Sequence, residues 1–220
     1  MKNNSIIPIT FMSGTGGNFL CSFIVAAKNN NQSSFQLSEH GNMHSNAIKD
    51  IATPAHSIEY IDQHKINSII EAPINSNIIP YYTSSHIVDL NLVNTYFHKS
   101  IRIIYSTENI PEIGYTYVGK FFVDEKQYIK NMSVLYTMTI NNLYKYQQQF
   151  TNQDVTNVLY ISWDDLYKDD ITLLLDKISK FTSIDVDKFN ISNIIHWRER
   201  TSNCIKQIQQ SVLYKYNKGD

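Results

Sequence analysis

Cysteine is scarce: Cys21 and Cys204 are the only two in 220 residues. That excludes a disulfide framework and a cysteine-rich zinc site, and both read as reduced, buried or incidental thiols. Long apolar runs are missing as well. The chain is 42% hydrophobic, yet no run approaches the roughly 18 residues of a membrane span. The opening MKNNSIIPIT has neither a long hydrophobic segment nor a small-residue cleavage site, so secretion by a classical signal peptide is not expected. Charge of one sign is lacking too. The net charge is −1 and Lys and Arg nowhere cluster, which argues against a nucleic-acid partner. Histidines at ligand spacing are few: His40 and His44 stand four apart, but Gly41 lies between them and no third ligand is in reach. No metal is expected there. Their segment reads either as a loop lining the mouth of a site or as an ordinary surface loop.

What is present centres on residues 6–24, IIPITFMSGTGGNFLCSFI. A short β-branched run suits a buried strand, and the run from Phe19 to Ala27 suits a helix. Between them lies Ser13-Gly14-Thr15-Gly16-Gly17-Asn18. A strand, a glycine-rich turn and a helix start can cradle a phosphate. Absent side chains let successive amides close on an anion, and the helix end adds partial positive charge. Ser13 and Thr15 offer hydroxyl donors. No Lys follows Gly16-Gly17, so the loop is not the nucleoside-triphosphatase motif. A glycine-rich turn that binds nothing is the other reading.

Further along, the pattern predicts a helix from a Ser57 cap, a strand at 77–83 and a loop through Ser84-Ser85-His86. A helix at 89–98 follows, then a strand at 101–105 that suits a central parallel position. Helices are expected at 111–122, with Pro111 in the first turn, and at 125–150. The apolar stripe of that second helix, Ile129, Met132, Leu135, Tyr136, Ile140, Leu143 and Tyr144, reads mostly as core. A strand at 155–163 and a helix capped by Asp170 come next. From about residue 185 the tail reads as helical segments with Trp197-Arg198-Glu199-Arg200 between them. The expected architecture is a single α/β domain over 1–220, a three-layer, mostly parallel sheet with helices on both faces. Ligands of such sheets sit outside the strand C-termini. The Ser13–Asn18 loop, Ser84–His86, Thr107–Asn109 and the segment after Trp163 should gather there.

The order and spacing of these pieces resemble the sulfotransferases that use 3′-phosphoadenylyl sulfate (PAPS), which have a P-loop-like α/β fold. Their first loop, P-K-S-G-T-T-[WL], is similar to Met12 through Leu20. Their K-T-H-[LP] compares with Ser84-Ser85-His86-Ile87, and their R-N-P-x-D-x-x-x-S-x-Y with Glu108 through Tyr117, behind the strand that ends at Tyr105. From His86 to Glu108 is 22 positions and from Glu108 to Thr116 is 8, both family spacings. Residues 158–166, VLYISWDDL, resemble a later strand and turn of the family. The resemblance covers about residues 6–184. It implies PAPS as cofactor, held by Ser13, Gly14, Thr15, Gly16, Gly17, Asn18 and Thr116. It also implies His86 as the base that takes a proton from a hydroxyl or amine acceptor, a small molecule or glycan. Without it, His86 reads as a loop histidine bonded to a backbone carbonyl.

Three basic positions of the family are changed: Met12 and Ser84 replace lysines and Glu108 replaces an arginine. Arg198 and Arg200 are the nearest basic candidates for the family's C-terminal loop. A carboxylate about 4 Å from the 3′-phosphate would repel it by roughly a few kcal/mol at an effective dielectric near 20. Two expectations follow from the resemblance. One is a cytoplasmic sulfotransferase. The other is an inactive protein of that fold, a structural component of a virus particle or another assembly. A kinase-like nucleotide binder is a third option, and the missing loop Lys counts against it.

Overall fold

The computed structural model describes residues 7–12, 14–30, 78–83, 90–119, 129–153 and 155–216. Its strands are the β-branched runs: β1 (Ile7–Met12), β2 (Ile78–Thr83), β3 (Ser100–Ile104) and β4 (Val158–Ser162). They form a sheet in the order β2-β1-β3-β4, and each pairing is parallel. The helices are α1 (Gly17–Lys28), α2 (Leu90–Tyr96), α3 (Ile110–Gly119), α4 (Ile129–Tyr146), α5 (Trp163–Tyr167), α6 (Ile171–Thr182) and α7 (Ile191–Tyr216). The chain is therefore an α/β protein. The helix expected from Ser57 lies outside the described residues.

Strand side chains alternate between two apolar clusters. Ile7, Ile9, Phe11, Ile101, Ile103 and Ile161 pack with α1, α6 and α7. Met12 and Tyr105 join Val93 of α2, Ile113 of α3 and Leu143 of α4 in the second cluster. All of β1 is buried, as a strand covered on both faces must be. Helix α6 starts where the sequence places its cap: the Asp170 carboxylate accepts from the Thr172 amide at 2.8 Å. It stops at Ser183, in the left-handed region at φ 60.

Two expectations fail. Residues 197–200 do not separate helical segments; they lie inside the 26-residue helix α7. Its buried residues Ile194, Trp197, Thr201 and Ile208 keep helical spacing straight through the polar stretch, whose charges sit on the other faces. Tyr144 is not core but 52% exposed. The inward stripe of α4 runs instead through Thr139, Leu143 and Tyr146 to Phe150, and Tyr144 falls beside it.

Candidate functional site

Because the strands run parallel, their C-terminal ends share one edge of the sheet. The β1 loop arrives there with Gly14 at φ 87 and Gly16 at φ 86, conformations that glycine adopts without steric penalty. Thr15 is fully buried. Its amide and its hydroxyl both donate to the Met12 carbonyl, at 3.1 and 2.7 Å, so the hydroxyl closes the turn on itself. Gly16 is the N-cap of α1 and brings no side-chain cap. Gly17 is buried and Asn18 is half-buried.

Each glycine also has a neighbour pressed against it. A Cβ on Gly14 would sit 2.5 Å from the Ile113 carbonyl oxygen, and one on Gly16 would sit 2.8 Å from Trp197 Cη2. A Cβ on Gly17 would clash with Cγ, Cδ1 and Cδ2 of the Phe11 ring. Trp197 in turn stacks on Phe19, with centroids 3.9 Å apart and planes 6° from parallel. The turn is thus wedged between α3, α7 and the end of β1.

Two other expected features meet beside it. Asn109 follows β3 and donates through Nδ2 to both Asp164 carboxylate oxygens, at 3.2 and 3.3 Å. Its Oδ1 accepts from the Ser106 amide and hydroxyl, both at 2.9 Å. Lys168 bridges Glu112 and Asp164 at 3.2 and 3.3 Å. Burial lowers the Lys168 pKa, but its two carboxylate partners outweigh this and hold it above its ordinary value. Thr116 lies within α3, where its hydroxyl donates to the Glu112 carbonyl at 3.0 Å. Glu108 is exposed. Met12 is 2% exposed and belongs to the second apolar cluster. Ser13, Ser84 and His86 lie outside the described residues.

Arg198 has a structural task. Its three donors reach main-chain carbonyls: Nε that of Leu166 at 2.6 Å, Nη1 that of Asp169 at 2.8 Å and Nη2 that of Asp165 at 2.8 Å. One guanidinium thereby ties the C-terminal end of α5 to α7. Burial pulls the Arg198 pKa down, and Asp169 and Asp170 oppose that pull. These couplings escaped the sequence reading because the partners are remote. The one signal was Trp197, an aromatic residue at helical spacing from Ile194 and Thr201.

The turn after β4 yields a stability prediction. Asp165 accepts from the Ser162 amide at 2.7 Å, the Ser162 hydroxyl accepts from the Asp165 amide at 2.9 Å, and Lys177 Nζ lies 2.6 Å from the carboxylate. Burial pushes the Asp165 carboxyl up, but Lys177 and Ser162 together hold its pKa below the usual range. A depressed folded pKa adds stability that is present above the unfolded value near 4 and is lost as pH falls through the folded one. Asp165→Ala should therefore cost about 1–2 kcal/mol at neutral pH, with the gap narrowing below about pH 4. Urea unfolding at pH 7 and pH 3 checks this; an equal gap at both would count against it.

The fit of PAPS can be judged on these contacts. Lys168, Lys177 and Arg198, cations beside the end of β4, already hold carboxylates and carbonyls. The hydroxyls of Thr15 and Thr116 point to main-chain oxygens. These residues do not fit a polyanion well. In comparisons with known proteins, no family model matches the chain and no curated protein is significantly similar to it.

Proposed function

We propose that this chain is a sulfotransferase-like α/β protein that no longer carries out sulfuryl transfer and serves as a structural component of a virus particle or another assembly. The observation that carries this reading is the commitment of Thr15, Thr116, Lys168 and Arg198 to internal bonds. The glycines of the first loop then answer to Ile113, Trp197 and Phe11, not to a ligand. Exposed apolar pairs one helical turn apart support an assembly role: Val134 and Met138 on α4, and Ile191 and Ile195 on α7.

One feature favours the alternative, transfer from PAPS to a hydroxyl or amine with His86 as base. The left-handed Gly14 and Gly16 precede a helix whose N-terminus has neither a side-chain cap nor an acidic first turn, an arrangement that suits an anion. A thermal-shift titration with PAPS and its desulfated product separates the two. A ligand at a hundred times its dissociation constant adds about 2.7 kcal/mol. The expected result is no shift at millimolar ligand. A shift of several degrees that disappears in Gly16→Val would establish the cofactor reading.

A further inference from the structure

A buried cation stands away from the glycine loop. Arg102 occupies the middle of β3, with no exposed surface, paired in register with Thr10 on one side and Tyr160 on the other. Nη1 donates to Gln153 Oε1 at 3.3 Å, and the guanidinium carbon lies 5.6 Å from the centre of the Tyr160 ring. Nε and Nη2 are buried without a hydrogen-bond partner, and so is the Tyr160 hydroxyl. Among the described residues no carboxylate pairs with Arg102.

We propose that the Nε–Nη2 edge of Arg102 is a binding site for a small oxyanion, a carboxylate or a phosphate group. Arginine stays charged when buried, because its guanidinium does not deprotonate in proteins. A buried charge without a counter-charge is strongly destabilising. Water could satisfy the hydrogen bonds but not the charge. The free atoms are also the right two. Nε–H and one Nη2–H point in parallel and match two coplanar oxygens, the bidentate geometry in which arginine binds carboxylate and phosphate. Nη1, which lies off that edge, is the nitrogen that Gln153 already occupies. Gln153 is exposed and its bond is long, so the guanidinium is screened on that side by a neutral, displaceable amide. The site does not depend on PAPS, and it stands or falls separately from the reading of the first loop.

Thermal unfolding of the full chain in acetate, inorganic phosphate or chloride at matched ionic strength tests this. Acetate or phosphate should raise the midpoint by several degrees and saturate, while chloride should not. Arg102→Met should lose the response without losing stability in anion-free buffer. Arg102→Lys should lose it too, since a point charge cannot replace the fork. A response to acetate alone identifies a carboxylate, and a response to phosphate alone a phosphate group. A wild-type midpoint indifferent to both oxyanions, a response to chloride alone, or a response that survives Arg102→Met would overturn the proposal. Should the variants not fold, the wild type still decides. Arg102, Arg198 and Arg200 are the arginines of the chain, so their Nε–H NMR signals can be followed singly, assigned with Arg198→Lys and Arg200→Lys. The Arg102 signal should move and saturate with the oxyanion; a static signal overturns the site.

Discussion

Gly17→Val should destabilise the protein by more than about 4 kcal/mol, an effect reserved for severe core disruption. At Gly17 the first turn of α1 lies against the Phe11 ring so closely that even a Cβ would overlap it. Phe11 has no room to retreat: it is 2% exposed and belongs to the same buried core cluster as Ile9, Leu20 and Ile103. Helix propensity cannot rescue the variant, because valine gains only a few tenths of a kcal/mol over glycine in a helix. Inserting extra methylenes into a well-packed core costs about 1–3 kcal/mol and occasionally more, and here valine's three carbons meet a ring already in contact with the backbone. Chemical denaturation measures the loss in ligand-free buffer, where an anion cradle would give glycine no stabilising role. A Phe11→Leu change in the same chain should recover at least about 1 kcal/mol, since the two sites are in direct contact and couple. Gly17→Val within about 1 kcal/mol of wild type would mean that the ring and the helix do not meet as described.

That steric explanation marks the limit of what was legible beforehand. Local pattern was enough for the elements: the β-branched run at 101–105 becomes β3, Asp170 caps α6, and the alternation of strands and helices gives the parallel sheet. It was not enough for the purpose of the glycines. Ile113, Trp197 and Phe11 come to the turn from α3, α7 and β1, and no spacing rule within 13–18 encodes them. The same holds for Asn109 with Asp164 and for Arg198 with α5, where contact is made only by folding. Continuity of α7 was hidden for a different reason. A charged triplet breaks the hydropathy of the sequence without breaking the period of its buried positions. Arg102 was readable in principle: a central parallel strand is buried on both faces, so any residue in it is buried, charged or not.

Trp197→Ala should cost about 3–5 kcal/mol, the range for removing a large buried aromatic side chain. For a domain with a total stability of about 5–15 kcal/mol, that is a large fraction. Trp197 is 3% exposed and lies face to face with Phe19. It also meets Tyr167 at 4.5 Å between centroids and 45° between planes. One side chain therefore joins α7 to both α1 and α5, and its edge rests on Gly16. Removing it leaves a cavity that backbone anchored by the Arg198 bonds cannot readily collapse to fill. The loss should be greatest locally, so amide exchange at 16–19 should accelerate more than exchange in β3. Trp163, buried at 1% exposure and the only other tryptophan, gives an internal check: its fluorescence should stay that of a buried indole until global unfolding. Trp197→Phe, which keeps a ring over Phe19, should lose less than half as much. A Trp197→Ala loss under about 1 kcal/mol, or uniform acceleration of exchange across the sheet, would show that the turn is held closed by something other than this indole.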